Sequence, residues 1–345
     1  MKVLFVALKW DYKDPGRGSS FEVTNFWHSL RKMKGVDATF FPFDEIEARS
    51  GRSEMNRLLL SQVKDQSPDL VFFFLFEEEF DRRTIEEITR LTTTLNWFAD
   101  DHWRFDGFSR FWAPLFTWVA TTDPEALPKY RGLGLRRIAL TQWACNHHLY
   151  EPTGVPTDIP TSFVGQAHGS RKRTIRRLRS AGVEVMLWGH GWPAGRLSIE
   201  DMIDVFNRSK INLNLSNASH SLSASNVARL PIEIIKAGVK GRGLTAPLRR
   251  LRASARDQIK GRNFEVPGTG AFLLTSHIPE LANYYALGEE VATFSGTSDL
   301  IAKVTYFLDH DEDRRAIAAR GLRRTLAEHT YEHRFTALVA EMGLI

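Results

Sequence analysis

The chain has 345 residues, 43% of them hydrophobic, enough for a sizeable buried core and, by length, better suited to two domains than one. Basic and acidic residues number 20 and 21 in residues 1–150 but 26 and 20 in residues 151–345, so the second half attracts an anion, be it nucleic acid, an acidic membrane surface or a nucleotide diphosphate. No run of about 18 apolar residues occurs, the opening Met1–Leu8 is too short and wrongly flanked for a signal peptide, and a single cysteine, Cys145, forms no internal disulfide and belongs to no zinc-type spacing. The expectation is a cytoplasmic protein with Cys145 as a small buried apolar residue.

In chain order, the apolar run 2–8 predicts a strand, followed by a polar loop from Asp11 to Ser20 and a helix over 19–34. Strands are predicted at 36–41, 69–75, 95–99, 116–121 and 136–140, with helices near 53–66, 81–93 and 123–130. This alternation implies a parallel, doubly wound sheet, and Leu70–Phe76, apolar throughout, suits a central strand covered on both faces. Three prolines and a glycine in Tyr150–Pro160 place a linker there. The alternation resumes with strands at 161–164, 183–188, 210–215 and 271–275, helices at 170–181 and 198–207, and terminal helices from 297 to 342. The expected domains are 1–150 and 161–328, with 329–345 returning toward the first.

Ligands of such sheets bind beyond the carboxyl ends of strands, where helix N-termini and free N–H groups converge, so the loops after strands hold the candidate residues. After the first strand, Gly16 and Gly18 allow close backbone approach to a phosphate or sugar, or merely form a loop with a serine cap. After 95–99 stand Asp100, Asp101 and His102. One Asp pair lacks the further oxygens a divalent metal needs, so the choice is contact with a substrate or an N-cap with a surface Asp–Arg pair. Gly165 ends a strand and leads to a helix N-terminus bearing Arg171 and Arg173, a natural diphosphate site; Arg176, Arg177 and Arg179 read as a solvated face. In Trp188-Gly189-His190-Gly191-Trp192, the glycines permit tight geometry and the aromatic rings could stack on a nucleobase.

The most informative stretch is Lys260–Thr275. Glu265 stands alone there among apparent turn residues, costly to desolvate unless partners such as vicinal sugar hydroxyls reach it. Gly268, Thr269 and Gly270 follow it, and Lys260 and Arg262 could neutralise a departing diphosphate. The basic segment 236–256 reads as a solvated face, a cover over the donor or a contact for an anionic acceptor. His329-Thr330-Tyr331 with Arg334 reads as capping and packing of a terminal helix.

These stretches together resemble GT-B glycosyltransferases, most closely the family 1 proteins akin to spore-maturation protein CgeB. The shared elements are Phe163-Val164-Gly165 with a basic helix start, Gly189-x-Gly191-Trp192, the 260–275 loop and the His329–Arg334 element. The resemblance implies an α/β GT-B fold of two doubly wound Rossmann-like domains facing across a cleft. It implies transfer of a sugar from a UDP- or GDP-linked donor to an acceptor hydroxyl, with no metal and no further cofactor. Asp101, His102 and Asp257 are its candidate catalytic residues, and Glu265 the one that holds the donor ribose. Asp257 and Glu265 have the separation of the paired-Glu motif of retaining enzymes, although Asp replaces the first Glu and most of the intervening glycines are missing. Two alternatives stay open: a nucleotide-sugar epimerase of the same fold, or a non-catalytic binder of nucleic acid or a membrane surface. The basic run lacks interleaved aromatics, which counts against nucleic acid.

Overall fold

The computed structural model describes residues 1–216 and 257–344; the segment 236–256 lies outside the described residues. The chain divides into two units, one built from residues 1–142 and 331–344, the other from 143–216 and 257–330. The second unit starts ahead of the proline-rich stretch because Cys145 and Tyr150 are already buried in its core.

The first unit holds six parallel strands: β1 (Lys2–Ala7), β2 (Asp37–Pro42), β3 (Leu70–Phe73), β4 (Thr93–Phe98), β5 (Trp118–Thr121) and β6 (Ile138–Leu140). Their order is β2-β1-β3-β4-β5-β6. Between them run α1 (Phe43–Ser50), α2 (Arg52–Gln66), α3 (Arg82–Leu91) and α4 (Ala126–Gly132). The helix expected over 19–34 is instead a wider π-helical turn, Glu22–Trp27, running into His28–Leu30.

Parallel strands covered on both faces need continuous apolar sequence rather than alternation, and β1 supplies it. Leu4 and Val6 face the side packed with Phe43, Met55, Leu59 and Ile85. Phe5 faces an aromatic layer centred on Phe26, whose ring lies 4.9 Å from those of Trp97 and Tyr331 and 5.5 Å from Phe335. Tyr331 and Phe335 belong to the C-terminal helix Tyr331–Glu341, so this helix closes the aromatic face. Packing is thus the role of Tyr331, and His329 likewise is buried against the rings of Phe264, Tyr284 and Tyr285 in the second unit.

The second unit holds five parallel strands, β7 (Ile159–Val164), β8 (Met186–Trp188), β9 (Ser209–Asn214), β10 (Leu273–Ser276) and β11 (Ala292–Phe294), in the order β11-β10-β9-β7-β8. Its helices include α5 (Arg171–Ser180), α6 (Ile199–Arg208), α7 (Arg262–Gly268), α8 (Gly296–Asp309) and α9 (Asp311–Glu328). One face of the sheet packs Ile175, Leu178, Val304 and Phe307, the other Met202, Phe206 and Phe264. Among the described residues no helix is long and apolar enough to cross a membrane.

Phe26 is fully buried and touches both the sheet and the C-terminal helix. Phe26→Ala is expected to lower stability by about 3–5 kcal/mol, read as a reduced urea midpoint with the slope unchanged.

Candidate functional site

In the second sheet the strand order reverses direction between β7 and β9, since the chain leaves β7 for β8 on one side and returns to β9 on the other. The loops after those two strands therefore flank the place where ligands of doubly wound sheets bind. On the other side of β7, the Gly165 backbone meets that of Gly189 beyond β8: a Cβ on Gly189 would sit 2.3 Å from the Gly165 carbonyl oxygen, and Gly189 has φ +124°. Gly165 N donates to Trp188 O (2.8 Å), Ala167 N to His190 O (2.8 Å), and the Trp192 indole to Gly165 O (2.8 Å). Gly191, with φ +84°, closes against Ala167. Trp192 is thereby a clamp between two loops, its indole N–H already committed, while His190 is exposed.

Arg171, the first residue of α5, reaches over this crevice. Its Nε and Nη2 donate to Leu215 O (3.1 and 2.7 Å) beyond β9, and its Nη1 donates to Gln166 O (3.1 Å) beyond β7. Burial pulls its pKa down to about 10, countered by Asp257. Asp257 is itself pushed upward by burial, against the pull of Arg171 and Lys260. Arg171, Asp257 and Lys260 thus form one electrostatic group at the carboxyl edge, while Arg173 in the first turn of α5 is exposed.

Glu265 requires a correction. It lies in no loop but within α7, its side chain is fully buried, and its carboxylate pairs with Arg262. Arg262 also donates to Met202 Sδ (2.7 Å) and covers the Phe206 ring at 5.2 Å. Burial opposes the Arg262 charge, but Glu265 and Tyr150 outweigh it and the pKa is raised. Both side chains expected to meet the donor therefore meet each other.

Gly268, Thr269 and Gly270 are corrected as well. They follow α7 into β10 and so stand at the amino edge of the sheet, opposite the ligand edge. A Cβ on Gly268 would lie 2.2 Å from Cys145 Sγ, and Gly270 (φ +71°) abuts Pro152 and Leu322; Thr269 is buried and donates to Val266 O.

The sequence reading missed the group that fixes α7. Asn263 Nδ2 donates to Thr275 Oγ1 (3.1 Å), and Asn263 Oδ1 accepts from Lys260 N (2.9 Å) and Asn214 Nδ2 (3.1 Å), all buried or part-buried. Two asparagines in the otherwise apolar Ile211-Asn212-Leu213-Asn214 run were the available signal, because polar groups inside a covered strand need partners.

In the first sheet the reversal falls between β1 and β3. The loop after β1 is shaped by Gly18 (φ +83°, ψ −172°), a conformation essentially restricted to glycine, and by the Asp14 carboxylate, which accepts from Gly16 N (2.9 Å). Tyr12 and Lys13 both have positive φ, 55° and 62°. Tyr12 is 57% exposed, with Arg17 over its ring at 4.4 Å and Phe76, beyond β3, edge-on at 5.4 Å. Lys13 meets Glu47 (3.1 Å) and the buried Glu79 (3.6 Å). The half-buried Glu22 is also missing from the sequence reading; burial pushes its pKa up to about 7, with Asp11 and Asp44 adding to the rise.

Beyond β4, Asp100 adopts φ +54° and turns Asp101 inward. The Asp101 carboxylate is fully buried and accepts from Thr121 Oγ1 (2.6 Å) and Tyr130 Oη (2.8 Å). Burial drives its pKa up to about 7 despite those donors. Asp101 thus makes no surface pair, and His102 beside it is buried too.

A glycosyl transferase-like family model matches residues 171–340, a span that includes α5, Asp257, Lys260 and α7. No curated protein matches the sequence. Among solved structures, the sucrose-phosphate synthase of Thermosynechococcus elongatus superposes with TM-score 0.59 at 10% identity, covering 100% of this chain and 98% of that one. Anabaena HepE in complex with UDP gives 0.55 at 10% identity (99% and 100% covered). A glycosyltransferase of Rickettsia africae gives 0.56 at 10% (99% and 97%). The fold is the GT-B α/β fold, with two parallel-sheet units.

Two outcomes follow from these burials. Glu265→Ala leaves the partly buried Arg262 charge without its carboxylate and should destabilise the ligand-free protein by about 1–3 kcal/mol in chemical denaturation. Folded Asp101 keeps a proton that the unfolded chain releases near pH 4, so its burial costs stability increasingly as pH rises from about 4 to about 7. Asp101→Asn should gain on wild type by on the order of 2–4 kcal/mol across that window, measured by denaturation at each pH.

Proposed function

We propose that the protein is a glycosyltransferase that moves a hexose from a nucleotide-diphosphate donor to an acceptor hydroxyl. The observation that carries this reading is the cationic group at the reversal of the second sheet, on the first turn of a ten-residue helix. A helix N-terminus offers unsatisfied N–H groups and partial positive charge, and Arg173 and Lys260 add full charges beside it. Such a place suits a diphosphate. The family match over 171–340 and the UDP bound to Anabaena HepE support the same donor class.

In the reaction, the acceptor hydroxyl oxygen bonds to the anomeric carbon and gives up its proton to the leaving diphosphate or to water, while the bond from that carbon to the diphosphate oxygen breaks. Negative charge grows on the leaving diphosphate, and cations fixed in advance stabilise it more in the transition state than in the ground state. Arg171 contributes chiefly by holding the loops beyond β7 and β9 in register, since its donors already serve Leu215 O and Gln166 O. Asp257 steadies Arg171 and Lys260. Glu265 acts through the fold, by keeping Arg262 and α7 in place, and the ribose contact first inferred for it is withdrawn. We infer that these cations do the work elsewhere given to a divalent metal, and that the protein acts in the cytoplasm.

The test is a thermal-shift series with UDP, GDP and their sugar conjugates. At one hundred times Kd, a ligand adds about 2.7 kcal/mol to the native state. A UDP or GDP compound should raise the melting temperature by several degrees, with or without EDTA, and Arg173→Ala with Lys260→Ala should abolish most of the rise. Equal stabilisation of wild type and variant would remove these cations from the site. Donor turnover indifferent to added acceptors would favour the epimerase instead.

A further inference from the structure

We propose that the first unit carries a site for a neutral pyranoside, with the Tyr12 ring as its floor. This deepens the transferase reading, because such a glycan would be the acceptor. Tyr12 is the most exposed large apolar side chain among the described residues, at 57%, and it lies where the strand order reverses between β1 and β3, the position at which ligands of doubly wound sheets collect. Its backbone holds φ 55° and ψ 33°, and Lys13 follows at φ 62°. Two consecutive side-chain-bearing residues in the left-handed region are unfavourable, so the surrounding bonds must impose them. Asp11 N donates to Gly18 O (3.0 Å), Lys13 N to Trp10 O (3.0 Å), and Arg17 Nε to the Asp11 carboxylate (2.9 Å). The ring itself is steadied by Arg17 and Phe76. An aromatic surface held open to solvent by a strained, cross-braced loop is a preorganised platform.

The charges around it select the ligand. Arg17 is matched by Asp11, and Lys13 by Glu47 and Glu79. The exposed Glu77 shares the charges of Lys13 and Arg104 with the buried Glu79, whose Oε2 accepts no hydrogen bond among the described residues. The acids of this rim, Asp11, Glu47, Glu77 and Glu79, still outnumber its cations, Lys13, Arg17 and Arg104, and the surplus repels phosphates and uronic acids. Carboxylates accept hydrogen bonds from vicinal hydroxyls, and the apolar C–H face of a pyranose lies flat on an aromatic ring. A nucleobase would also stack, but its attached phosphates would face the carboxylates.

The experiment is an array of immobilised neutral hexosides, N-acetylhexosaminides and uronides, probed with wild type, Tyr12→Ala and Tyr12→Phe, with the UDP thermal shift run on the same preparations. Wild type and Tyr12→Phe should be retained on neutral glycans, Tyr12→Ala at least tenfold less, with uronides unbound and the UDP shift equal in all three. Equal retention of Tyr12→Ala would overturn the site. So would a wild type that is stabilised by UDP but ignores every neutral glycan, a result that leaves the donor reading standing. A protein that binds glycans through Tyr12 yet shows no response to any nucleotide would keep this site and remove the transferase reading.

Discussion

A parallel sheet covered on both faces leaves its polar backbone almost nowhere to meet water except at its two edges, and this constraint governs the rest of the molecule. Side chains along β1 and β3 are spent on packing, and Asn212 and Asn214 of β9 on hydrogen bonds inside the unit, so chemistry has to gather in the loops beyond the strands. In both units the gathering point is where the strand order reverses, between β1 and β3 and between β7 and β9. There the structure places positive φ angles and charges with shifted pKa values, with the close Gly165–Gly189 contact next to the second of them.

The two edges differ in sign. The first carries Asp11, Glu22, Glu47, Glu77 and Glu79 against Lys13, Arg17 and Arg104; the second carries Arg171, Arg173 and Lys260 around Asp257. That difference follows the uneven charge of the sequence, whose excess of basic residues lies entirely in its second half. The two proposed ligands, a diphosphate for one unit and an uncharged polyol for the other, follow this difference in sign.

Much of the fold was legible because apolar runs such as Val3–Leu8 and Leu70–Leu75 have no other stable use than as buried strands. Local breaker signals misled where tertiary bonds overrode them. Gly261, Pro267 and Gly268 suggested a turn, yet Asn263, tied to Thr275 and Asn214, holds a helical turn against the sheet. The error over Glu265 follows from that one, since in a helix three residues after Arg262 its partner is internal. Asp101 was misplaced for a similar reason: the left-handed Asp100 reverses the chain direction and sends the next side chain inward. The short β11 and α1 escaped because their apolar content is too small to stand out. Arg171, by contrast, stands at the helix start beyond β7 that the sequence indicates, with donors on the Leu215 and Gln166 carbonyls.

The contact between Gly165 and Gly189 has a mechanical consequence. With no room for a single methyl group and with Trp192 pinning one side to the other, the two loops cannot slide past one another. They respond to force as a single lever, so a load applied to either is felt by both and passes on to α5 through the Gln166 carbonyl that Arg171 holds.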